Sequence, residues 1–462
     1  MLTDQLYIIC IGIALISYFM GKSKIIKLTS AAGVRAHSVP AYYGFYPVLL
    51  TLILPALLCV IWLVTQLVLF DRMLIASIPD AVKNAEDFAV SVALARIHNL
   101  ADGISVGEAE QWVQLSAESL NSWQAASHLA LNLCAVGLSL VAAIYAYRKI
   151  SPDFRARNAV ERIIYITLIA CSIVAIFTTI GIVFSVIFES IRFFRLIPPL
   201  EFLTGLTWNP EFEGAARAGS GQGGIAAYGS IPLFVGTFLI SIVALSVAIP
   251  VGLLSAIYLS EYASSRTRSV VKPALEILAG VPTVVYGFFA ALTIAPFFKG
   301  AGAAIGLSVA SESALAAGFV MGIMIIPFIS SLSDDVINAV PQSLRDAAYG
   351  LWSTRSEAVR HVVLPAALSG IVASIILAVS RAVGETMIVV MAAGLAANLS
   401  VNPLDAVSTV TAQIVTILVG DQEFESAKTL SAFALALTLI VVTLGLNFMA
   451  LQIVKKYRAQ YD

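Results

Sequence analysis

The chain has 462 residues, 59% of them apolar and 12% charged, with a net charge of −1 and a mean hydropathy of +0.92. A soluble chain of that composition would expose large apolar patches, so the sequence reads as an integral membrane protein. Its near-neutral charge offers no basic face for a phosphate backbone, which speaks against a nucleic-acid partner and leaves membrane lipid as the surrounding phase.

In chain order, nine continuous apolar runs fall near residues 4–21, 45–70, 128–147, 162–189, 231–259, 274–298, 313–332, 367–395 and 428–454. Crossing a hydrocarbon layer about 30 Å thick takes about 20 apolar residues in a helix, and runs that do not alternate exclude a barrel. The predicted fold class is therefore all-α: a polytopic transmembrane helical bundle of about nine spans. The first run lacks a basic flank and a small-residue cleavage site and reads as a retained span. Cys10, Cys59, Cys134 and Cys171 all lie within these runs without paired or metal-like spacing, so no metal site is expected from them.

Basic residues cluster in alternate connections: Lys22, Lys24, Lys27 and Arg35; Arg148, Lys149, Arg155, Arg157 and Arg162; Arg266, Arg268 and Lys272; and Lys455, Lys456 and Arg458 at the end. All four groups share the inner side if the N-terminus is outside and the C-terminus inside. Arg192 and Arg195 dissent. Lys272 is expected to pair with Glu276 one turn later. Between the second and third runs, residues 71–126 carry acids and spaced apolar residues that predict a small extracytoplasmic helical insert, either a docking surface or a folded piece that packs on the bundle.

Two phosphate-binding patterns fail on inspection. Gly219, Gly221 and Gly224 fit the spacing of a dinucleotide fingerprint without a preceding strand, and a flexible loop is the better reading. Gly21-Lys22-Ser23 ends like a P-loop, but Ile16 stands where the first glycine is required, so the chain does not supply ATP hydrolysis by this route. No metalloprotease or nucleophile-elbow motif supports a membrane enzyme.

Gly280, Val281, Pro282 and Thr283, followed by Tyr286, interrupt the sixth run. The break is either a structural kink or a pathway-lining break whose freed N–H groups and whose Thr283 and Tyr286 hydroxyls face an anion. Arg381 and Glu385 stand inside the eighth run, where a charge facing lipid costs at least about 2.5 kcal/mol. Their i, i+4 spacing puts them on one helix face, as an internal ion pair or as a pair that meets a translocated anion.

Residues 343–365 form the one long polar, helix-forming insert between apolar spans. Ser343, with Asp346 three residues on, is expected to cap a first helix, and Thr354 with Glu357 makes a capping box for a second that stops or kinks near Pro365. Ala347 and Ala348 are expected to leave a bare, closely approachable face, while Arg345, Asp346, Arg355, Glu357 and Arg360 keep the hairpin wet for a soluble partner.

This stretch resembles the EAA loop of ABC-importer permeases, with Asp346, Ala347 and Ala348 in place of Glu-Ala-Ala and Val362, Val363, Leu364 and Pro365 at its distal end. Trp352 stands where that loop has Gly, with Gly350 two positions early. The stretches LEILAGVPTVVYGFFA (275–290), SRAVGETMIVVMAAG (380–394) and EFLTGLTWNP (201–210) narrow the resemblance to phosphate-importer permeases of the PstC type. It implies a type I importer core of six spans at 156–462, with a coupling loop at 333–365, and an N-terminal extension of three spans at 1–155. It also implies a bacterial cytoplasmic membrane location, a second permease of the PstA type, a dimer of PstB-type subunits that uses ATP, and a periplasmic phosphate-binding protein. Arg345, Asp346, Ala347, Ala348, Gly350, Trp352, Leu364 and Pro365 would serve ATPase coupling, and Arg381, Glu385, Thr283 and Tyr286 the substrate pathway. No cofactor is expected on this chain. Import of another oxyanion, or an ion-coupled secondary transporter, are the alternative functions.

Overall fold

A computed structural model of the chain describes residues 2–79, 87–103, 110–210, 226–419 and 426–458. Among these, nine helices are long and apolar enough to cross a membrane. The chain divides by its internal contacts into two units, Met1–Phe177 and Thr178–Asp462. The Gly219 to Gly224 stretch lies outside the described residues.

The first unit contains α1 (Leu2–Ala32), α2 (Pro40–Ser77), α3 (Asp87–Ala101), α4 (Gln111–Lys149) and the start of α5 (Ala156–Leu196). The insert after the second run is built from continuations of the spanning helices themselves, with α3 packed between them. Leu74 and Ile78 from the end of α2 close a small core with Ile97 of α3 and Val113 and Leu120 of α4. His98 Nε2 lies 3.0 Å from Asp71 Oδ1, which ties α3 to α2. Within the membrane-length part, Trp62 donates its indole N–H to Ser127 at 2.8 Å, satisfying a polar atom that lipid cannot.

The second unit begins with the end of α5 and then α6 (Pro199–Thr204), followed by a two-residue antiparallel pairing of β1 (Trp208–Asn209) with β2 (Ala227–Tyr228), Trp208 opposite Tyr228. Phe193, Phe202, Trp208 and Tyr228 meet edge to face and seal this end. Then come α7 (Ile231–Ile257), ending in a π turn at Tyr258–Tyr262; α8 (Ser265–Ala279); α9 (Thr283–Phe289), which runs through a π turn at Ala290–Ile294 into α10 (Ala295–Ala304); and α11 (Ala314–Ala339). α11 is the central helix, and its glycines let α7 come close: a Cβ on Gly318 would lie 2.7 Å from Val243, and one on Gly322 would lie 2.8 Å from the Ala244 carbonyl. Small residues at such spacing drive helix packing where lipid removes the hydrophobic incentive.

The spans differ from the apolar runs at two places. The run at 274–298 is two elements, because α8 is amphipathic and ends at Ala279 while the span is Thr283–Ala304. The run at 367–395 is broken as well: α14 (Leu364–Val383) stops at Gly384, and a separate α15 (Met387–Ala392) follows. A ten-residue apolar helix, α16 (Val410–Val419), precedes the last span, α17 (Ala427–Arg458), and is too short to cross.

Candidate functional site

The polar insert folds as a helical hairpin: α12 (Gln342–Gly350), a tight turn, then α13 (Arg355–Ala358), which winds through a π turn at Val359–Val363 into α14. The Thr354/Glu357 capping box forms as the residue types demand, Thr354 N–H donating to Glu357 Oε2 at 2.8 Å and Glu357 N–H to Thr354 Oγ1 at 3.4 Å. The other cap does not. Pro341 occupies the N-cap and α12 starts at Gln342, one residue before Ser343, so the Ser343 hydroxyl has no cap to make; Gln342 instead donates to Asp346 at 3.1 Å.

Arg345 is not a wet surface residue. Its guanidinium is buried and donates through Nε and Nη2 to Glu261 Oε1 at 3.1 and 2.9 Å, through Nη1 to the Val340 carbonyl at 2.6 Å, and through Nη2 to the Ile337 carbonyl at 2.8 Å. The fork thus occupies the Val340 carbonyl where α11 ends, adds a second donor to the Ile337 carbonyl that already accepts the Val340 N–H, and grips the buried carboxylate at the end of α7. From the other arm, Arg355 lies over the Tyr262 ring at 5.2 Å. Two arginines, one on each side of the hairpin, grip the same π turn. Ala348 also faces inward, with 4% of its surface exposed, so Ala347 alone carries the bare face expected of the pair; Asp346 and Gly350 are exposed, and Leu364 and Pro365 are half-buried at the start of α14.

The turn holds a further departure. Ser353 N–H donates to the Ala348 carbonyl at 3.2 Å and Trp352 N–H to the Tyr349 carbonyl at 3.0 Å, the paired bonds of a Schellman motif that places Trp352 at the left-handed C′ position. Its φ is 62°, the one positive φ of a non-glycine among the described residues. For a side chain larger than hydrogen, that conformation costs about 1–2 kcal/mol. A glycine belongs there physically, which explains why Gly350, sitting in the last helical turn, is no substitute.

Beside the hairpin, α8 is held on α11 by a buried carboxylate. Asp334, 1% exposed, accepts from Arg268 Nη2 at 3.0 and 2.9 Å, from Lys272 Nζ at 2.9 Å and from Asn338 Nδ2 at 2.9 Å. Lys272 also reaches Asp335 at 2.9 Å, and its hydrogen bonds to Asp335 and Asp334 hold the ammonium above its ordinary value. The expected Lys272 pairing with Glu276 therefore does not form; buried Asp334 on the neighbouring helix outcompetes an exposed glutamate one turn away. Glu261 and Asp334 are the anchors that sequence reasoning missed, the first because its partner is 84 positions distant.

The pathway candidates sit at two helix breaks. At the first, Gly280 ends α8 and Pro282 precedes α9; the Tyr286 hydroxyl donates to the Leu278 carbonyl at 2.8 Å and so bridges the gap, while Thr283 is half-buried at the first position of α9. At the second, Arg381 lies in the last turn of α14 and Glu385 beyond its end, so they do not share a helix face. Glu385 Oε1 accepts the Met387 and Ile388 N–H groups at 3.1 and 3.4 Å. Each charge is thus stabilised by a helix end of opposite sign rather than by the other. Arg381 is exposed, 5.8 Å from the Phe328 ring, and among the described residues no carboxylate lies within ion-pair distance of it. The helices after the two breaks pack together: a Cβ on Gly287 would lie 2.9 Å from Met391 Sδ and 3.3 Å from the Met387 carbonyl.

The family described as "binding-protein-dependent transport system inner membrane component" matches residues 248–459, and that described as "phosphate ATP-binding cassette transporter" matches residues 7–178. With a multi-pass helical bundle and its polar hairpin, this defines the class: the chain is the permease subunit of an ABC importer, not itself an enzyme, and ATP is hydrolysed on a separate subunit. A probable ABC transporter permease of Bacillus subtilis is 31% identical over 279 residues, covering 59% of this chain and 84% of that protein. The phosphate transport system permease protein PstC of Mesorhizobium japonicum is 33% identical over 260 residues (52% and 74%), and PstC 1 of Mycobacterium bovis 32% over 280 (56% and 82%). The chain belongs to the phosphate transport system permease family, as its hairpin and helix-break motifs led one to expect.

Proposed function

We propose that this permease carries inorganic phosphate into the cytoplasm, with its N-terminus outside and its hairpin inside, in a complex with a second permease, two ATP-binding subunits and an extracytoplasmic phosphate-binding protein. Phosphate as substrate rests on the names of the relatives. The observation that carries the mechanism is the guanidinium of Arg381, exposed at a helix break with its neighbouring acid already engaged. A planar two-donor fork suits a pair of phosphate oxygens, and a low-dielectric surrounding magnifies the attraction. Thr283 adds a hydroxyl, and Tyr286 shapes the break through its bond to Leu278. Residues 1–155 act as an accessory unit, and residues 156–462 carry transport.

The hairpin couples transport to hydrolysis. Its buried ion pair and the Arg355–Tyr262 stack fix it to the ends of α7 and α11, so a displacement of the hairpin is passed to the helices that line the core. Ala347→Glu, on the exposed face, is expected to detach the ATPase by at least about tenfold in affinity, the cost of a charge placed in a packed interface. Normal ATPase recovery and uptake in that variant would remove the coupling role. Ala348→Glu would not test it, because the carboxylate would enter the hairpin's own interior.

The reading as a whole is tested by reconstituting the complex in vesicles. Phosphate uptake is expected to follow ATP and to ignore an imposed proton or sodium gradient. Uptake driven by either gradient without ATP would establish an ion-coupled transporter instead.

A further inference from the structure

Trp352 is 95% exposed and Leu351 beside it 81%, with Tyr349 and Leu344 exposed to 40% and 41%. These residues lie on a hairpin whose other exposed residues are polar, small or charged, the charges being Asp346, Arg355, Glu357 and Arg360. Among the described residues, no aromatic ring or cation stacks on the Trp352 indole. The chain therefore gains nothing from this side chain within its own fold, yet holds it in a backbone conformation that favours glycine. Strain kept without an internal return marks a position where the return comes on binding.

We propose that Trp352 is a preset aromatic anchor that inserts into an apolar pocket on the ATP-binding subunit. The inference rests on the hairpin being the ATPase-docking element, and adds to it the residue that carries the binding energy and the chemistry of its socket. The Schellman bonds at Ala348 and Tyr349 fix the backbone on both sides of the indole, so its direction is set before the partner arrives and little ordering remains to be done. Tryptophan is the side chain most often found to dominate such contacts, surrounded by weaker neighbours that exclude water; Leu351, Tyr349 and Leu344 supply that surround. Ala347, small and exposed on the same short helix, allows the partner's surface to come close.

The test uses the full chain in lipid nanodiscs and its purified ATP-binding subunit. Trp352→Gly relieves the strain and deletes the indole together. It is expected to weaken ATPase binding at least about thirtyfold while the permease alone melts at the same or a higher temperature, and Trp352→Phe is expected to recover binding to within several-fold. Binding by Trp352→Gly within twofold of the parent overturns the proposal. So does a melting temperature that falls with the lost binding, which would give Trp352 a structural role. If Trp352→Gly binds normally while Ala347→Glu does not, the anchor is refuted and the docking hairpin stands; if both bind normally, the hairpin reading fails as well. Quenching by brominated lipid of the fluorescence that Trp352→Phe removes, in the absence of the ATPase, would assign the indole to the bilayer surface and also overturn the proposal.

Discussion

Arg345→Met is expected to destabilise the anchorage of the hairpin by roughly 3–5 kcal/mol, the range for removing one partner of a buried ion pair. The side chains of Arg345 and Glu261 are 11% and 7% exposed, so neither charge can fall back on water. Methionine fills much of the volume but leaves the Glu261 carboxylate without its cation, takes the guanidinium donor from the Val340 carbonyl, and leaves the Ile337 carbonyl with the Val340 N–H alone. Glu261→Gln should cost less, since the guanidinium keeps both carbonyls and the amide oxygen still accepts. The informative variant is the double replacement Glu261→Leu with Arg345→Met, which removes both charges and should recover half or more of the lost stability. Thermal unfolding of the purified permease, read beside ATPase recovery, gives the cycle. If the double variant recovers stability yet uptake stays lost, the pair transmits motion rather than merely holding the hairpin. An unchanged melting temperature in Arg345→Met would show that the pair contributes no more than a surface contact.

The spans were legible because each run of about 20 apolar residues has one physical solution in a bilayer, and the capping box because Thr354 and Glu357 satisfy each other locally. What escaped the sequence was set by partners far along the chain. Arg345 looks wet in a polar insert until Glu261 is folded beneath it, and Lys272 has a plausible acid at Glu276 until Asp334 arrives buried from another helix. The i, i+4 relation of Arg381 and Glu385 presupposed a continuous helix, whereas Gly384 ends it between them. Hydropathy averages over such a break because the residues on either side are equally apolar. Trp352 escaped for the opposite reason: its residue type argues against the left-handed conformation that the flanking hydrogen bonds impose.

Arg381→Gln is expected to abolish phosphate uptake with the complex still assembled. Arg381 pairs with no carboxylate among the described residues, so neutralising it strands no buried charge and gives up only its contact with the Phe328 ring of α11. The amide retains polarity and much of the length but loses the charge, and a hydrogen bond to a charged group is worth about 1.5–3 kcal/mol, or roughly ten- to hundredfold in affinity for the anion. Arg381→Lys keeps the charge without the fork and should leave partial uptake. Glu385→Gln should be milder, because its side-chain oxygen can still accept the Met387 and Ile388 N–H groups that start α15, while a negative charge is withdrawn from the anion's route. Uptake measured beside subunit co-purification separates the outcomes. Equal loss of assembly and uptake in Arg381→Gln would make the residue an interhelical or intersubunit support, and full uptake would exclude it from the pathway. A graded series, Gln below Lys below Arg, with assembly constant throughout, is what an anion-facing guanidinium requires.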